Sequence, residues 1–379
     1  MSLVVDTHRQ YLADDVRLHA FRHAIAEVVR PGDTVLDLGS GTGILGLFAC
    51  AAGAARVYSL EESGLIELAR DVVAANGFSD RVVFVQRTSL DAMLPERVDV
   101  IVCDFIGRFG YDATLIEDGA DARDRFLEPG GRIVPREVGV VLAPVEDAKT
   151  YDRIDFWDRR PGGFDFRPAR RWSVNTGYPI ALARQSMLAA PITVTRLDMA
   201  TVASNPQTAE GRFVVSRAGT LHGIGGWFHA HLSPRVTLSN APDAPARLNR
   251  RNVFLPVDRP VPVDAGDAID VRLHVIPAET VVTWQVAVRN TDGQEKARCC
   301  QSTLRGMLLS RDELRRTNPA FVPRLTPRGD ARLSVLTLCD SQRSLAEIER
   351  EVFRRHPDLF RTVGEAEAFV AEVVVRYAQ

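Results

Sequence analysis

A glycine-rich segment and an acidic residue that follows it are the first features with recognisable chemistry. The segment Val35–Gly43 reads Val-Leu-Asp-Leu-Gly-Ser-Gly-Thr-Gly, and Glu61 ends the next predicted strand. Glycines let the backbone turn tightly beside a ligand, and free amides at the start of the next helix can face an anionic group. A carboxylate at a strand end can accept hydrogen bonds from both ribose hydroxyls. The spacing therefore predicts a site for a nucleoside-containing cofactor.

Two kinds of cofactor fit this pattern. The string Gly41-x-Gly43-x-x-Gly46 matches the dinucleotide fingerprint. The string Asp37-x-Gly39-x-Gly41-x-Gly43 is the methyltransferase version, whose cofactor ends in an amino acid instead of a pyrophosphate. The glycine pattern by itself leaves both cofactors open.

The elements that must position this segment alternate along the first part of the chain. Apolar residues at three- and four-residue steps predict a helix over residues 6–30, and Pro31-Gly32-Asp33 ends it. Short apolar runs then alternate with helical stretches, and the runs are Thr34–Leu38, Arg56–Leu60, Val82–Gln86, Val98–Cys103 and Gly131–Pro135. This alternation predicts an α/β Rossmann-like domain over residues 31–141, with residues 1–30 as a helix that caps the cofactor.

The later part of the chain has a different pattern. Residues 150–190 are rich in Arg, Pro, Gly and aromatic residues, which is typical of an irregular excursion. Apolar runs at regular spacing predict an all-β domain over 142–305, and examples are Pro191–Leu197, Gly211–Ser216, Gly225–Leu232, Ala268–Val275 and Thr280–Arg289. Residues 306–379 are predicted as a connector and a small helical domain, in which Ser344 and Glu347 form a capping box.

Composition excludes several classes of partner. The 379 residues carry a formal net charge of −2, so no basic excess indicates nucleic acid. No apolar run is long enough for a transmembrane span, and five cysteines without metal-ligand spacing favour a reducing cytoplasm and no metal site. His229 and His231 share one face of a predicted strand near His222. Ordinary strand histidines are the favoured interpretation, with acceptor-pocket residues or a metal site as alternatives.

Over roughly residues 6–305 the sequence resembles the protein arginine methyltransferase family, as a divergent member of bacterial type. The glycine segment is nearly the family's string. His8-x-x-Tyr11-Leu-Ala-Asp14-Asp-Val-Arg17 looks like its His-x-x-Met-Leu-x-Asp-x-x-Arg helix, and Leu221–Phe228 resembles one of its barrel strands. The resemblance implies a class I methyltransferase domain followed by a β-barrel, with S-adenosyl-L-methionine as cofactor. It also implies a dimerisation arm at 150–190 and a head-to-tail homodimer.

The same resemblance implies roles for individual residues. Arg17 would grip the cofactor carboxylate, Glu61 would bind the ribose, and Ser89 would lie near adenine. Leu90 stands where the family has the Glu that contacts the adenine amino group. The full set of implied cofactor-binding residues is His8, Arg17, Asp37, Gly39, Ser40, Gly41, Ile44, Leu45, Glu61, Ser89 and Leu90.

The acceptor side departs from the family. Two family Glu residues clamp the acceptor guanidinium, whereas here Asp104 stands at the first position and Asp112 nearest the second. The family's Thr-His-Trp loop is absent near Arg247-Leu248-Asn249, and Tyr11 replaces its helix Met. We therefore predict a wider pocket in which Asp104 orients and deprotonates the acceptor, Asp112 assists, and Tyr11 forms a wall.

These changes leave the acceptor open. A guanidinium keeps its proton because its pKa lies above about 12, so methyl transfer to it needs carboxylates that take the charge. An imidazole is neutral near pH 7 and already nucleophilic, so one oriented carboxylate suffices. Both a peptide histidine and a peptide arginine therefore remain as acceptors.

Residues 333–356 are similar to the helical half of small PqqD-type domains, which grip leader segments of precursor peptides. Three hypotheses follow. The enzyme modifies a peptide or protein, such as a biosynthetic precursor peptide. Alternatively, it methylates a small molecule or free amino acid. In the third hypothesis the site is degenerate and the chain is a cofactor-binding scaffold.

Overall fold

The computed structural model describes residues 4–246, 248–307, 320, 322–360 and 362–377. The chain divides into two compact units, Met1–Met307 and Leu308–Gln379. The first unit holds the N-terminal helices, a parallel sheet and an antiparallel β region. The second unit is helical in its described residues.

The N-terminal segment forms two helices where the sequence predicted one. They are α1 (Val4–Leu12) and α2 (Asp15–Val28). The chain breaks at Asp14, whose side chain accepts a hydrogen bond from the backbone amide of Arg17 and so caps α2. Ala20, Phe21, Ala24 and Ile25 form the buried face of α2.

A five-stranded parallel sheet follows, in the order β3-β2-β1-β4-β5. Its elements are β1 (Thr34–Leu38), α3 (Ile44–Ala51), β2 (Arg56–Leu60), α4 (Leu65–Ala75), β3 (Val82–Val85), β4 (Val98–Cys103), α5 (Leu115–Phe126) and β5 (Leu127–Val134). The predicted bounds of β1, β2 and β4 are confirmed. The strand order reverses between β1 and β4, and a crevice for ligands forms at such a point.

Two antiparallel sheets make up the barrel-like region, in the orders β7-β12-β10-β6-β8, with β11 on β10, and β15-β14-β13-β9. Their strands are β6 (Glu137–Val145), β7 (Tyr178–Ile180), β8 (Ile192–Asp198), β9 (Gln207–Val214), β10 (Gly219–His231), β11 (Thr237–Ser239), β12 (Asn252–Val263), β13 (Ala268–Ile276), β14 (Val281–Arg289) and β15 (Glu295–Ser302). Because β6 pairs with β8 and β10, the antiparallel region begins before the predicted boundary at residue 142.

The segment predicted as an irregular excursion contains two short helices, α6 (Ala148–Asp155) and α7 (Arg170–Ser173), besides β7. Hydrogen bonds to β12 anchor this segment. The Tyr151 hydroxyl donates to the carbonyl of Asp258, and the Arg170 guanidinium donates to both Tyr151 and Asp258. The short helix α8 (Thr303–Gly306) closes the first unit.

The second unit contains α9 (Pro327–Leu338), α10 (Leu345–Arg355) and α11 (Val363–Tyr377). Its core is a separate cluster that includes Val335, Val352 and Phe369. The capping box is confirmed, since Ser344 and Glu347 exchange hydrogen bonds at the start of α10. Part of the predicted connector, residues 308–319 and 321, lies outside the described residues. None of the helices in the described part of the chain is both long and apolar enough to cross a membrane.

Candidate active site

Two adjoining cavities lie at the carboxyl ends of β1, β2 and β4. The first has a volume of about 310 Å³ and is lined by His8, Tyr11, Leu12, Arg17, Gly39, Ser40, Gly41, Thr42, Ile44, Leu45, Glu61, Leu65, Asp104 and Phe105. The second has about 390 Å³ and is lined by Leu38, Gly39, Leu60, Glu61, Glu62, Arg87, Thr88, Ser89, Leu90, Phe105, Thr114 and Asp118. Gly39, Glu61 and Phe105 line both, so the two cavities form one elongated site.

The glycine segment forms the floor of this site. Gly39 and Gly41 have φ angles of +65° and +54°, which L side chains rarely adopt. A Cβ atom on Gly39 would lie 2.0 Å from Cζ of Phe105, and one on Gly41 would lie 2.6 Å from Cε1 of His8. Glycine is therefore required by both the turn and the close approach of two rings.

Glu61 is fixed by the backbone around it. Its Oε2 accepts a hydrogen bond from the Gly41 amide at 3.0 Å, and its Oε1 accepts one from the Ser63 amide at 2.9 Å. Each oxygen keeps a further lone pair, so the carboxylate can still accept from a diol. Ser40 is buried and its hydroxyl bonds that of Ser59 at 2.7 Å, which braces the loop from below.

Asp37 lies beneath the cavities and does not line them. Its Oδ2 accepts a hydrogen bond from the Gly46 amide at 2.8 Å, and its Oδ1 is buried without a partner among the residues described. Burial raises the pKa of Asp37 to about 7. The sequence placed Asp37 with the cofactor-binding residues, whereas the structure uses its carboxyl to hold the start of α3 under the glycine segment.

The second cavity contains the residues expected near adenine. Ser89 is buried, and its hydroxyl donates to Oδ1 of Asp118 at 3.0 Å. Leu90 lines the same cavity with 54% of its surface exposed. Asp118 comes from the first turn of α5 and was not singled out by the sequence, because nothing in its own segment indicates that it faces the loop after β3.

Asp104 lies at the opposite end of the site, where it forms ion pairs with two arginines. The Nε of Arg17 donates to Oδ2 of Asp104 at 2.5 Å. The guanidinium of Arg250 donates to both oxygens, with Nη1 3.2 Å from Oδ1 and Nη2 3.0 Å from Oδ2. Burial raises the pKa of Asp104, but the charges of Arg250 and Arg17 together outweigh it, so the pKa lies below its ordinary value.

Asp112 does not join Asp104 in the cavity, which corrects the expected pairing of the two acids. Its Oδ1 accepts a hydrogen bond from the Arg108 amide at 2.6 Å, and its Oδ2 accepts one from the Arg108 guanidinium at 2.8 Å. A Cβ atom on Gly107 would lie 2.3 Å from Oδ1 of Asp112. The shorter loop therefore folds back on its own acid, and Asp112 closes the loop.

Arg250 is a second residue of the site, besides Asp118, that the sequence did not single out. It stands just beyond the position of the absent Thr-His-Trp loop, and its segment is tied to α2 because Oδ2 of Asp14 accepts from the Asn249 amide at 2.8 Å. The buried side chain of Asn240 donates to the carbonyls of Arg108 and Arg251. The side-chain amide of Asn240 thus joins the loop after β4, which contains Asp104 and Asp112, to the segment that carries Arg250.

The histidines of β10 take ordinary strand roles. His222 is buried, pairs its ring with that of Tyr151, and bonds the Thr220 carbonyl through Nδ1. His229 and His231 contact each other edge to face at 5.2 Å. Within the described ranges no group of three or more His, Cys, Asp or Glu side chains could hold a metal ion.

The fold and this site define a class I methyltransferase domain joined to an antiparallel β-barrel-like domain. A family model described as the arginine methyltransferase oligomerization subdomain matches residues 138–286, and one described as ribosomal protein L11 methyltransferase matches residues 22–134. Protein arginine N-methyltransferase 6 of Xenopus laevis is 33% identical over 252 residues, which cover 63% of this chain and 74% of that protein. Protein arginine N-methyltransferase 1 of Schizosaccharomyces pombe is 32% identical over 286 residues, covering 72% and 82%.

A solved structure supports the same fold. The Trypanosoma brucei PRMT1 enzyme–prozyme complex with AdoHcy has a TM-score of 0.70 at 23% identity, and the match covers 78% of this chain and 97% of that one. The chain belongs to the protein arginine methyltransferase family, whose members are S-adenosylmethionine-dependent enzymes.

The residues present fit that cofactor. The elongated site has the Arg17 guanidinium and the Asp104 carboxylate at one end, the Glu61 carboxylate in the middle, and an apolar wall with Ser89 and Asp118 at the other. A guanidinium matches an α-carboxylate and a carboxylate matches a ribose diol. The positive-φ glycines leave the floor open for close approach.

Proposed function

We propose that the protein transfers a methyl group from S-adenosylmethionine to a side-chain nitrogen of a peptide or protein. One observation carries this proposal. The Asp104 carboxylate lies at the end of the cofactor cavity and is held there by Arg17 through an ion pair of 2.5 Å. A carboxylate that lines the end of this cavity is suited to align an acceptor nitrogen beside the cofactor.

The chain's own residues act mainly by positioning. Arg17 would bind the cofactor carboxylate through the guanidinium atoms that Asp104 does not use, and Glu61 would hold the ribose. Ser89 and Asp118 would face the adenine edge. The cofactor, when bound, supplies a methyl group activated by its sulfonium. Asp104 orients the acceptor nitrogen towards that end of the cavity. Holding two reactants in line in this way can lower a reaction barrier by about 7–11 kcal/mol.

Family membership supports arginine as one acceptor. The position of Asp112, which closes its own loop instead of joining Asp104, supports histidine as the other. A guanidinium needs an acid to offset its charge in the site, whereas a neutral imidazole does not. A small molecule or free amino acid as acceptor, and a scaffold that binds the cofactor without turnover, are the outcomes that would replace this proposal.

Three further parts of the proposal concern context. The second unit, with its PqqD-like helices, would bind the substrate peptide, such as a biosynthetic precursor. The match of residues 138–286 to an oligomerization subdomain supports a homodimer formed through the arm at 150–190. The five cysteines, none of them in a disulfide among the described residues, are consistent with a cytoplasmic protein.

The test is a mass-spectrometric screen with methyl-labelled S-adenosylmethionine that offers histidine peptides, arginine peptides and free amino acids together. Label on a peptide side-chain nitrogen supports the proposal. Label on small molecules alone, or cofactor binding with no label anywhere, contradicts it.

Asp104→Asn should lower kcat by at least about a hundredfold, as expected for loss of one preorganised polar group in an active site. Asp71→Asn, at an exposed position of α4, is the matched control and should retain full turnover. A kcat of Asp104→Asn equal to that of the control would remove Asp104 from the mechanism.

A further inference from the structure

We infer that Arg250 occupies the position an acceptor guanidinium would take on Asp104, and that it thereby restricts the enzyme to neutral nitrogen acceptors, namely the imidazole of a peptide histidine. The inference rests on the proposed function and specifies its substrate class.

The geometry of the pair is that of a bound guanidinium. Two nitrogens of Arg250 address two oxygens of Asp104, at 3.2 and 3.0 Å, which is the fork arrangement that arginine forms with carboxylates. Nη1 also donates to the Gly107 carbonyl at 3.3 Å. The Arg250 guanidinium carbon lies 5.8 Å from the Phe228 ring centroid. An arginine from a substrate would need these same carboxylate oxygens.

Every other acid beside this position is already engaged. Asp112 is paired with Arg108, and the two oxygens of Asp14 accept from the amides of Arg17 and Asn249. Asp104 itself faces two guanidinium groups, those of Arg17 and Arg250. Asp104 and Asp112 therefore already have arginine partners, so an incoming guanidinium would add a further positive charge beside them.

Displacement of Arg250 is also unfavourable. Its side chain is only 18% exposed, and its guanidinium is held by Asp104 and Gly107. Burial lowers the pKa of Arg250, but the Asp104 charge outweighs that effect, so the pKa stays above its ordinary value and the side chain stays charged. Moving it away would break these bonds, and binding a substrate arginine beside it would place a third guanidinium near one carboxylate.

A neutral imidazole avoids this repulsion. Asp104 can accept a hydrogen bond from the ring N–H and direct the other, unprotonated nitrogen into the cavity. That nitrogen gives its lone pair to the methyl carbon as the carbon–sulfur bond breaks with its electrons on sulfur. The methylated ring carries one positive charge until its N–H proton leaves to water.

The first experiment compares two peptides that differ only in one residue, histidine or arginine, with labelled S-adenosylmethionine and the full chain. The histidine peptide should be methylated at least about tenfold faster, since a like charge in a buried site costs more than the free energy of a tenfold change. Equal rates, or faster methylation of the arginine peptide, would overturn the inference while leaving the proposed function intact. No label on either peptide would instead contradict the proposed function.

The second experiment removes the internal guanidinium. Arg250→Ala and Arg250→Gln should each bind the arginine peptide at least about tenfold more tightly than the wild type in calorimetry without cofactor. Asp104 then keeps only its ion pair with Arg17, so the carboxylate lone pairs that Arg250 used become available to the peptide guanidinium. Arg251→Ala, at the neighbouring exposed arginine, is the matched control and should leave the affinity for the arginine peptide unchanged. The two variants differ in side-chain volume, so a folding defect in the alanine variant leaves the glutamine variant as the test. Unchanged affinity of a folded variant for the arginine peptide would also overturn the inference.

Discussion

Glu61 accepts a hydrogen bond from the backbone amide of Gly41, and this contact joins the carboxylate at the end of β2 to the glycine segment after β1. The carboxylate and the loop amides therefore keep one geometry in the middle of the elongated site. The contribution of each residue proposed to bind the cofactor can be tested by substitution.

Glu61→Ala should weaken the binding of S-adenosylhomocysteine by roughly tenfold to a hundredfold, because hydrogen bonds to a charged carboxylate contribute about 1.5–3 kcal/mol. Calorimetry provides the measurement. Glu67→Ala, at an exposed position of α4, is the control and should bind as the wild type does. Equal affinities of the two variants would exclude Glu61 from the cofactor site.

Gly39→Ala should destabilise the protein more than Gly77→Ala does. Both glycines have positive φ angles, +65° and +75°, but a Cβ atom at 39 would overlap the Phe105 ring, whereas one at 77 meets nothing within 4 Å. The difference between the losses of unfolding free energy in the two variants isolates the cost of the overlap with Phe105, which should be about 1–3 kcal/mol. Denaturant unfolding of both variants measures it, and similar losses would show that Phe105 moves aside freely.

Asp37→Asn should become more stable relative to the wild type as the pH rises. Burial raises the pKa of Asp37 from 3.8 to about 7, so its contribution to stability is complete below pH 3.8 and is lost as the pH rises through about 7. The amide cannot ionise and can still accept from the Gly46 amide. The stability difference between variant and wild type should grow by about 2 kcal/mol from pH 5 to pH 7 in denaturant unfolding. A pH-independent difference would mean that Asp37 does not titrate in this range.

Removal of residues 330–379 should abolish binding of a peptide substrate and preserve cofactor binding, because the cofactor residues all lie in the first unit. Calorimetry with S-adenosylhomocysteine and with the unmethylated substrate peptide measures both affinities on one preparation. If the shortened chain binds peptide as tightly as the full chain, the second unit has another role.

The strands of the parallel sheet could be predicted because local sequence determines them. β1, β2 and β4 are buried on both faces and are therefore continuous apolar runs between turns. β12 has a weaker strand pattern because Pro256, Pro260 and Pro262 interrupt it, and β15 has one because it is a polar edge strand. A strand is recognised in a sequence by the spacing of its buried apolar residues, and in β12 and β15 this spacing is not regular.

The site divides in the same way. The glycine segment and Glu61 lie in one stretch of chain, so their spacing alone predicts a site for a nucleoside-containing cofactor. The pairing of Asp104 with Arg250 joins residues 146 positions apart. Nothing in either segment specifies the other, because the contact exists only once the barrel strands bring β12 beside the loop after β4. Asp112 was misplaced for a related reason, since a carboxylate can bond its own loop as readily as a ligand.

The Asn240 side chain uses both its amide oxygen and its amide nitrogen, and it contacts the two segments that we propose select the acceptor. A substitution that reshapes the loop of Asp104 and Asp112 would therefore be transmitted to the segment of Arg250, and the reverse holds as well. Lineages that exchange one acceptor for another would have to change both segments in concert. In comparisons among related chains, the residues at positions 104, 108, 240 and 250 should therefore vary together.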